Sequence, residues 1–419
     1  MTNKPSFYLA ALFLLLAGCH KTDPSDSIVS IQVLDRNGFS ETISNNDRLK
    51  NYQNVDFQSP QPYEKVLRVY GKNNEGKSPS KLTSYHSNGG VWQSLEAIDG
   101  RAHGQYLEWH ENGKVKIQAH VIEGLADLNE TAQASWLFDK KCLVWDEQGN
   151  LEAEFFYDKG NLANEAKYYF PNGSIQKVIP YTNGLVHGTL HIFDEEGNIL
   201  EETNYKNGLR DGFATASWSP GISKSQEQYR ENLLLQGIYF DKEGNIMSEI
   251  ADGHGTRADC KNEKLYTLIE YRDGVPAGGV QTFNEQGKLH ISYQIQEGKK
   301  TGEEWEYYTN QSPKLLINWF EDQIQGMVKT WYPNGKLESQ REMSNSKKHG
   351  ISFAHYKSGD LMLMEEYEND RLSKGTYYKK GDLSPISSIE SGEGTATLYN
   401  AEGHFIQKVT YERGKPIEE

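Results

Sequence analysis

Eight times along the chain, a glycine follows an aromatic residue by four positions, precedes an aliphatic or aromatic residue by two, and precedes a second glycine by eleven. The copies are Tyr85/Gly89/Val91/Gly100, Trp109/Gly113/Val115/Gly124, Trp145/Gly149/Leu151/Gly160 and Tyr169/Gly173/Ile175/Gly184. They continue as Phe193/Gly197/Ile199/Gly208, Phe240/Gly244/Ile246/Gly255, Phe283/Gly287/Leu289/Gly298 and Tyr399/Gly403/Phe405/Gly414. Composition alone would give far fewer than one such site. Partial copies stand at Trp331/Gly335/Leu337 and Tyr356/Gly359/Leu361. The first glycine recurs after 24 residues from 89 to 113, 149 to 173, 173 to 197 and 335 to 359. A fixed period of this size marks an array of supersecondary units, each burying its apolar surface against its neighbours.

The unit reads as two strands. The first runs into a tight turn, often Asn-Gly, as at Asn88-Gly89, Asn112-Gly113, Asn172-Gly173 and Asn334-Gly335. The second often ends in tyrosine three residues before the second glycine, as at Tyr157, Tyr181, Tyr205, Tyr271 and Tyr411. A further turn follows, commonly Gly-x-x-x-Gly. Two turns per 24 residues predict an all-β fold: an elongated single-layer antiparallel meander sheet of stacked β-hairpins. At a strand spacing of about 4.8 Å, about a dozen units give a ribbon of roughly 110–120 Å. An insertion, Asp127 to Lys140, is expected to form a short helix or an added strand. Near the start, Ile28 to Leu34 reads as a strand followed by Asn37-Gly38, a hairpin signal because both residues tolerate positive φ.

Only 36% of residues are hydrophobic, yet 11% are aromatic and 25 are tyrosine. Rings aligned in rows are therefore expected to replace a thick core, each cross-strand pair contributing roughly 0.2–1 kcal/mol. Two rows stand out: Trp109, Trp145, Tyr169 and Phe193, and Tyr157, Tyr181 and Tyr205. One face of a single sheet meets water or a partner, so these seven residues form the candidate binding face. Tyrosine and tryptophan combine large contact area with a polar tip. Packing against their own neighbours is the competing role.

A formal net charge of -15 argues against nucleic acid as a partner. Histidines precede glycine at His103, His187, His254 and His349, but Asp211 and Thr301 take matching places, which reads as turn chemistry. No Cys-x-x-Cys, His-Glu-x-x-His, calcium loop or phosphate loop occurs, so neither a metal nor a cofactor is expected. The acidic runs Asp194-Glu195-Glu196 and Glu303-Glu304 fall at turns or strand starts of a thin sheet, and no nucleophile stands beside a base at a recognisable spacing. No catalytic residue is assigned. Cys142 and Cys260 read as separate thiols, although spacing leaves their pairing open.

Met1 to Cys19 combines Lys4, an apolar run from Phe7 to Ala17 and small residues before a cysteine. The run is shorter than the roughly 20 helical residues a bilayer core requires. Leu16-Ala17-Gly18-Cys19 resembles a bacterial lipobox. The resemblance implies cleavage before Cys19 and acyl chains on Cys19, hence a membrane anchor. With His20 rather than Asp after the cysteine, it implies the outer membrane where there are two. The expected division is a signal peptide at 1–18, a polar linker with an N-terminal hairpin at 19–62, and the repeat array at 63–419.

An aromatic residue, Asn-Gly, an aliphatic residue, Tyr-x-x-Gly and a further glycine, at a period near 24, resemble the MORN repeat variant family. The resemblance covers most of the chain from Tyr63 and weakens near Gly221, Ser312 and Gly381. It implies a sheet scaffold that binds something. Members are often secreted or lipid-anchored, and the family is commonly named for antitoxins. The leading expectation is thus a non-enzymatic envelope scaffold for a protein partner or a cell-envelope polymer such as a glycan. The alternative is an antitoxin-like or immunity protein. Open end strands would also allow a homodimer.

Overall fold

The computed structural model describes residues 27–52, 55–61 and 64–417. The signal segment, the lipobox with Cys19, and Tyr63 lie outside the described residues. Strands hold 66% of the chain and helix 3%, in an antiparallel meander of hairpins that is not closed into a barrel. Contacts divide it into two units. One comprises the described residues up to Ile175 with Tyr181–Gly184, and the other Gln176–Pro180 with residues from Leu185 onward.

Two kinds of turn alternate, and each explains one glycine of the repeat. In the first, the Gly113 N–H donates to His110 O and the His110 N–H to Lys114 O, both at 2.9 Å. Gly113 alone takes a left-handed φ of 83°. One extra residue enters the following strand, because Trp109 faces Val115 while Glu108 faces Ile117. This is a type I turn closed by a glycine bulge. The second kind is a two-residue turn with both φ positive, as at Asn207 (52°) and Gly208 (83°). Its backbone twist matches that of the flanking strands.

Asparagine before the first glycine therefore serves another purpose than positive φ in the repeats; Asn37 does not take positive φ either, and at its turn Asp35 accepts from the Asn37 and Phe39 N–H groups at 2.9 and 2.7 Å. The Asn112 side chain accepts from the Lys114 N–H at 3.0 Å and donates to Glu147 O of the next repeat at 2.7 Å. Asn334 does the same with Lys336 and Lys357, at 3.0 and 3.2 Å. The residue after the turn aromatic also reaches forward. Tyr308 OH donates to Trp331 O at 2.6 Å, Tyr332 OH to His355 O at 2.7 Å, and Tyr356 OH to Tyr378 O at 2.7 Å. His86 and His110 make matching contacts to Trp109 O and Trp145 O. Each such bond contributes a net 0.5–1.5 kcal/mol or so. Asn334→Ala is thus expected to lower unfolding free energy by about 1–2 kcal/mol, and Asn334→Asp, which keeps the acceptor, by about half as much. Urea unfolding followed by tryptophan fluorescence checks both.

Hairpins also form at the weak copies, around Gly221, Gln311 and Gly381. At the second of these Gln311 itself takes φ 68°.

The first strand, Ser27–Asp35, pairs with both Ser40–Ile43 and Glu64–Lys72. A helical turn, Asn46–Leu49, follows, its N-terminal N–H groups capped by Asn45. Ile31, Ile43 and Leu49 are buried together with Leu67 and Tyr85, and Tyr85 OH donates to Phe57 O at 2.9 Å. The polar stretch read as a linker is, over its described residues, a cap on the sheet. Ile31, Ile43 and Leu49 fall on the covered side, while Val29, Phe39 and Val55 stay exposed. The insertion forms the first of its two alternative elements, a helical turn at Glu130–Gln133, and no added strand: Leu137–Trp145 is the ordinary first strand of the next hairpin, as long as Arg101–Trp109. Between the helical turn and Leu137, Trp136 packs edge-on against Tyr106, with centroids 5.0 Å apart.

Candidate functional site

The structure separates the two predicted ring rows. In the first unit, Val144 faces Ala153, Cys142 faces Phe155 and Lys140 faces Tyr157 across the register. Facing residues share a side of the sheet and neighbours along a strand alternate, so Tyr157 lies with Val144 and opposite to Trp145. In the second unit, Ile192 faces Glu201 and Gly188 faces Tyr205, which puts Tyr205 opposite to Phe193. The single binding face of seven residues is therefore corrected to two rows on two faces. The bulge residue after each first turn shifts the alternation by one, and period counting does not see it.

All seven, Trp109, Trp145, Tyr157, Tyr169, Tyr181, Phe193 and Tyr205, are half-buried. Tyr157 packs on Phe138 at 5.4 Å and on Phe155 at 6.4 Å. Phe193 stacks on His191 of its own strand at 5.9 Å. Much of their ring surface is thus spent on neighbouring side chains. Cys142 is buried, its thiol pushed up to about 11 by desolvation, and Cys260 is half-buried; both are free.

An open surface lies further along, in the second unit. Leu268 faces Gln281, Gln281 faces Ser292, and Ser292 faces Trp305 across successive strands. With Gln294 and Glu303 these line a trough of about 650 Å³. Trp305 stacks on Trp331 at 5.7 Å and on Tyr307 at 6.4 Å, and its indole N–H donates to Glu303 at 2.9 Å. Trp331 holds the repeat position that Phe193 holds earlier. Gln281, Gln294 and Glu303 are exposed. A stacked aromatic floor edged by amides and a carboxylate suits a ligand with an apolar face and hydrogen-bonding rims.

A second arrangement escaped the sequence reading. Glu227 accepts from Tyr229 OH at 3.1 Å and from Tyr239 OH at 2.8 Å. Glu365 accepts from Tyr367 OH at 3.0 Å and from Tyr377 OH at 2.8 Å. Each cluster includes a leucine, Leu234 or Leu372, and a glycine, Gly237 or Gly375, at the same offsets from the glutamate. A Cβ on either glycine would meet the second tyrosine's hydroxyl at 2.7 Å. The signal was present as Glu-x-Tyr, then Leu, then Gly-x-Tyr. Burial raises the tyrosine pKa values, that of Tyr229 to about 12, and the shared carboxylate adds to the shift. A cation lies over the first tyrosine in each, Arg210 at 5.2 Å from the Tyr229 ring and Lys348 at 4.4 Å from that of Tyr367.

Among the described residues no group of three or more His, Cys, Asp or Glu side chains is placed to hold a metal ion. Among them, too, no helix is long and apolar enough to cross a membrane.

Residues 102–122, 162–183, 186–207 and 324–345 match the family described as MORN repeat variant. Each match spans one hairpin with a glycine-bulge turn at its centre. No curated protein matches the chain. Among solved structures, a crystal structure of TcdB2-TccC3 without its hypervariable C-terminal region is 10% identical, covering 93% of this chain and 26% of that one, with a TM-score of 0.13. The chain thus spans about a quarter of that protein's length. A crystal structure described as the eukaryotic initiation factor is 9% identical, covering 94% of this chain and 98% of that one, with a TM-score of 0.16. Scores this low carry no argument. The chain thus carries MORN repeat variant units at four places, each laid over a hairpin of the sheet.

Proposed function

We propose that this protein is a lipid-anchored, non-enzymatic repeat scaffold of the bacterial envelope, binding a protein partner or a cell-envelope glycan. The observation that carries the reading is the trough floored by Trp305, whose indole stacks in turn on Trp331 at the repeat's own aromatic position. The lipobox ending in Cys19 supports the anchor and the address. Acylation at several positions would make attachment effectively stable, since each buried CH₂ contributes about 0.8 kcal/mol.

The test is capture from envelope extract with the full chain and with Trp305→Ala. Truncating a central aromatic anchor typically weakens binding by about 2 kcal/mol or more. The variant should therefore recover at least tenfold less of the same partner or glycan, with circular dichroism unchanged. Recovery of nothing by the unaltered chain, or equal recovery by both, counts against the proposal. A toxin as the captured species would favour the antitoxin-like reading.

A further inference from the structure

We propose that the cavity beside the first Glu-Tyr-Tyr cluster, bounded by Glu201, Thr203, Lys224, Ser225 and Arg257, is a binding site for a small zwitterion of α-amino-acid size. This goes beyond the scaffold reading and does not rest on it.

The chain supplies its own comparison, because the cluster occurs twice. On the glutamate's side of the first copy lies this cavity, of about 130 Å³, whereas the cavity of about 220 Å³ at the second copy is lined mainly by Ile351, Met364, Glu366, Lys374 and Thr376, on the other side of the sheet. The difference follows from side-chain size. Counted from the shared glutamate, Thr203 corresponds to Arg341 and Ser225 to Leu363. In both copies these positions share the glutamate's side of the sheet, Ser225 beside Ala216 and Leu363 beside Ala354. Two small hydroxyl residues leave room where the second copy places a long cation and an isobutyl group. The charge moves as well. Arg257, which stands where the second copy has Ala396, reaches back over two intervening strands. It lies 3.6 Å from Glu227 and 3.3 Å from Tyr229 OH, and its Nε donates to Asp259 at 3.1 Å.

These bonds occupy Glu227 and much of Arg257. The Glu201 carboxylate has no hydrogen bond or ion pair among the described residues. The Lys224 ammonium makes no hydrogen bond or ion pair among the described residues; it lies 5.1 Å from the Trp218 ring and near enough to the Cys260 thiol to act on it electrostatically. The cavity is thus left with one free carboxylate and one ammonium without an anionic partner. Its charged lining balances, with Arg210, Lys224 and Arg257 against Glu201, Glu227 and Asp259. A ligand of net charge would leave either the exposed Glu201 carboxylate or the half-buried Lys224 ammonium without a partner. A zwitterion answers both. The volume equals about four waters' share of the liquid, which fits a small α-amino acid and no polymer.

Isothermal titration calorimetry of the full chain with glycine, L-alanine and L-serine tests this, with acetate, methylammonium and glucose as controls. Saturable heat is expected from at least one amino acid, with acetate and methylammonium at least tenfold weaker. Thr203→Arg with Ser225→Leu fills the space as the second copy does and should abolish the signal. Glu201→Gln, on an exposed side chain that bonds nothing, should weaken it at least tenfold and decides the matter if the double variant fails to fold. The proposal is overturned by silence from every amino acid, by equal or stronger binding of a control, or by binding that survives the folded double variant or Glu201→Gln unchanged.

Discussion

Gly255→Ala is expected to destabilise the second unit by about 3–5 kcal/mol, one of the two largest effects of any single substitution considered for this chain. Gly255 sits at φ 141°, a region L side chains rarely adopt, and an added Cβ would lie 2.2 Å from Glu249 O and 2.9 Å from Ile250 Cα. Both contacts are backbone, so no side chain can swing aside. The strand cannot drift away either, because Gly255 faces the fully packed Ile250 on one side and Tyr271 on the other. Gly244→Ala is the contrast. Its φ is 84° with nothing within 4 Å of the added atom, so only conformational strain remains, about 1–2 kcal/mol. Urea unfolding of the two variants should differ clearly in midpoint. Equal midpoints would mean that the close approach at Gly255 does not exist.

Trp136→Ala is expected to cost about 3–5 kcal/mol in the first unit. Trp136 is only 6% exposed, and its indole N–H donates to Leu125 O at 2.8 Å. Its ring covers Tyr106, whose hydroxyl donates to Glu108 at 2.8 Å and accepts from Gln93 at 2.9 Å. Removing the indole opens a cavity over this polar chain and leaves the Leu125 carbonyl with the Asp127 N–H, at 2.9 Å, in place of two donors. Trp136→Phe keeps a ring and loses the bond, so roughly half the loss is expected. Unfolding monitored by circular dichroism checks the order. A loss below about 1 kcal/mol for alanine would show that the insertion is a loose appendage rather than part of the core.

The hairpins were legible because turn chemistry is local. A glycine at the bulge position and another in the two-residue turn are favoured by positive φ and recur at countable intervals, although Asn232, Glu263, Asp322, Ser346 and Asp370 fill the second place elsewhere and the turn before Gly255 is made by Asp252 and Gly253. The weak copies fold alike because the bulge turn needs only one residue in the left-handed region, a place Gln311 fills. The division of the rings between faces was not legible. Between Trp145 and Tyr157 lies Glu152, which the register leaves without a facing residue, and one such residue reverses every side chain after it. Arg257 was hidden for a different reason. Its partner Glu227 belongs to a strand separated from its own by Leu233–Phe240 and Ile246–Ala251. Only a tightly coiled sheet brings the two within reach, and coiling depends on packing rather than on any short motif.

The two kinds of turn clasp in opposite directions. At the glycine-bulge turns Asn88, Asn112, Asn310 and Asn334 donate forward to the next hairpin. At the two-residue turns Gly160, Gly184, Gly208 and Asn232 donate back to the hairpin before. Cutting hairpins from either end therefore strands donors on the one left exposed. Fraying of the array should start from both ends, like a rope unwhipped at each tip.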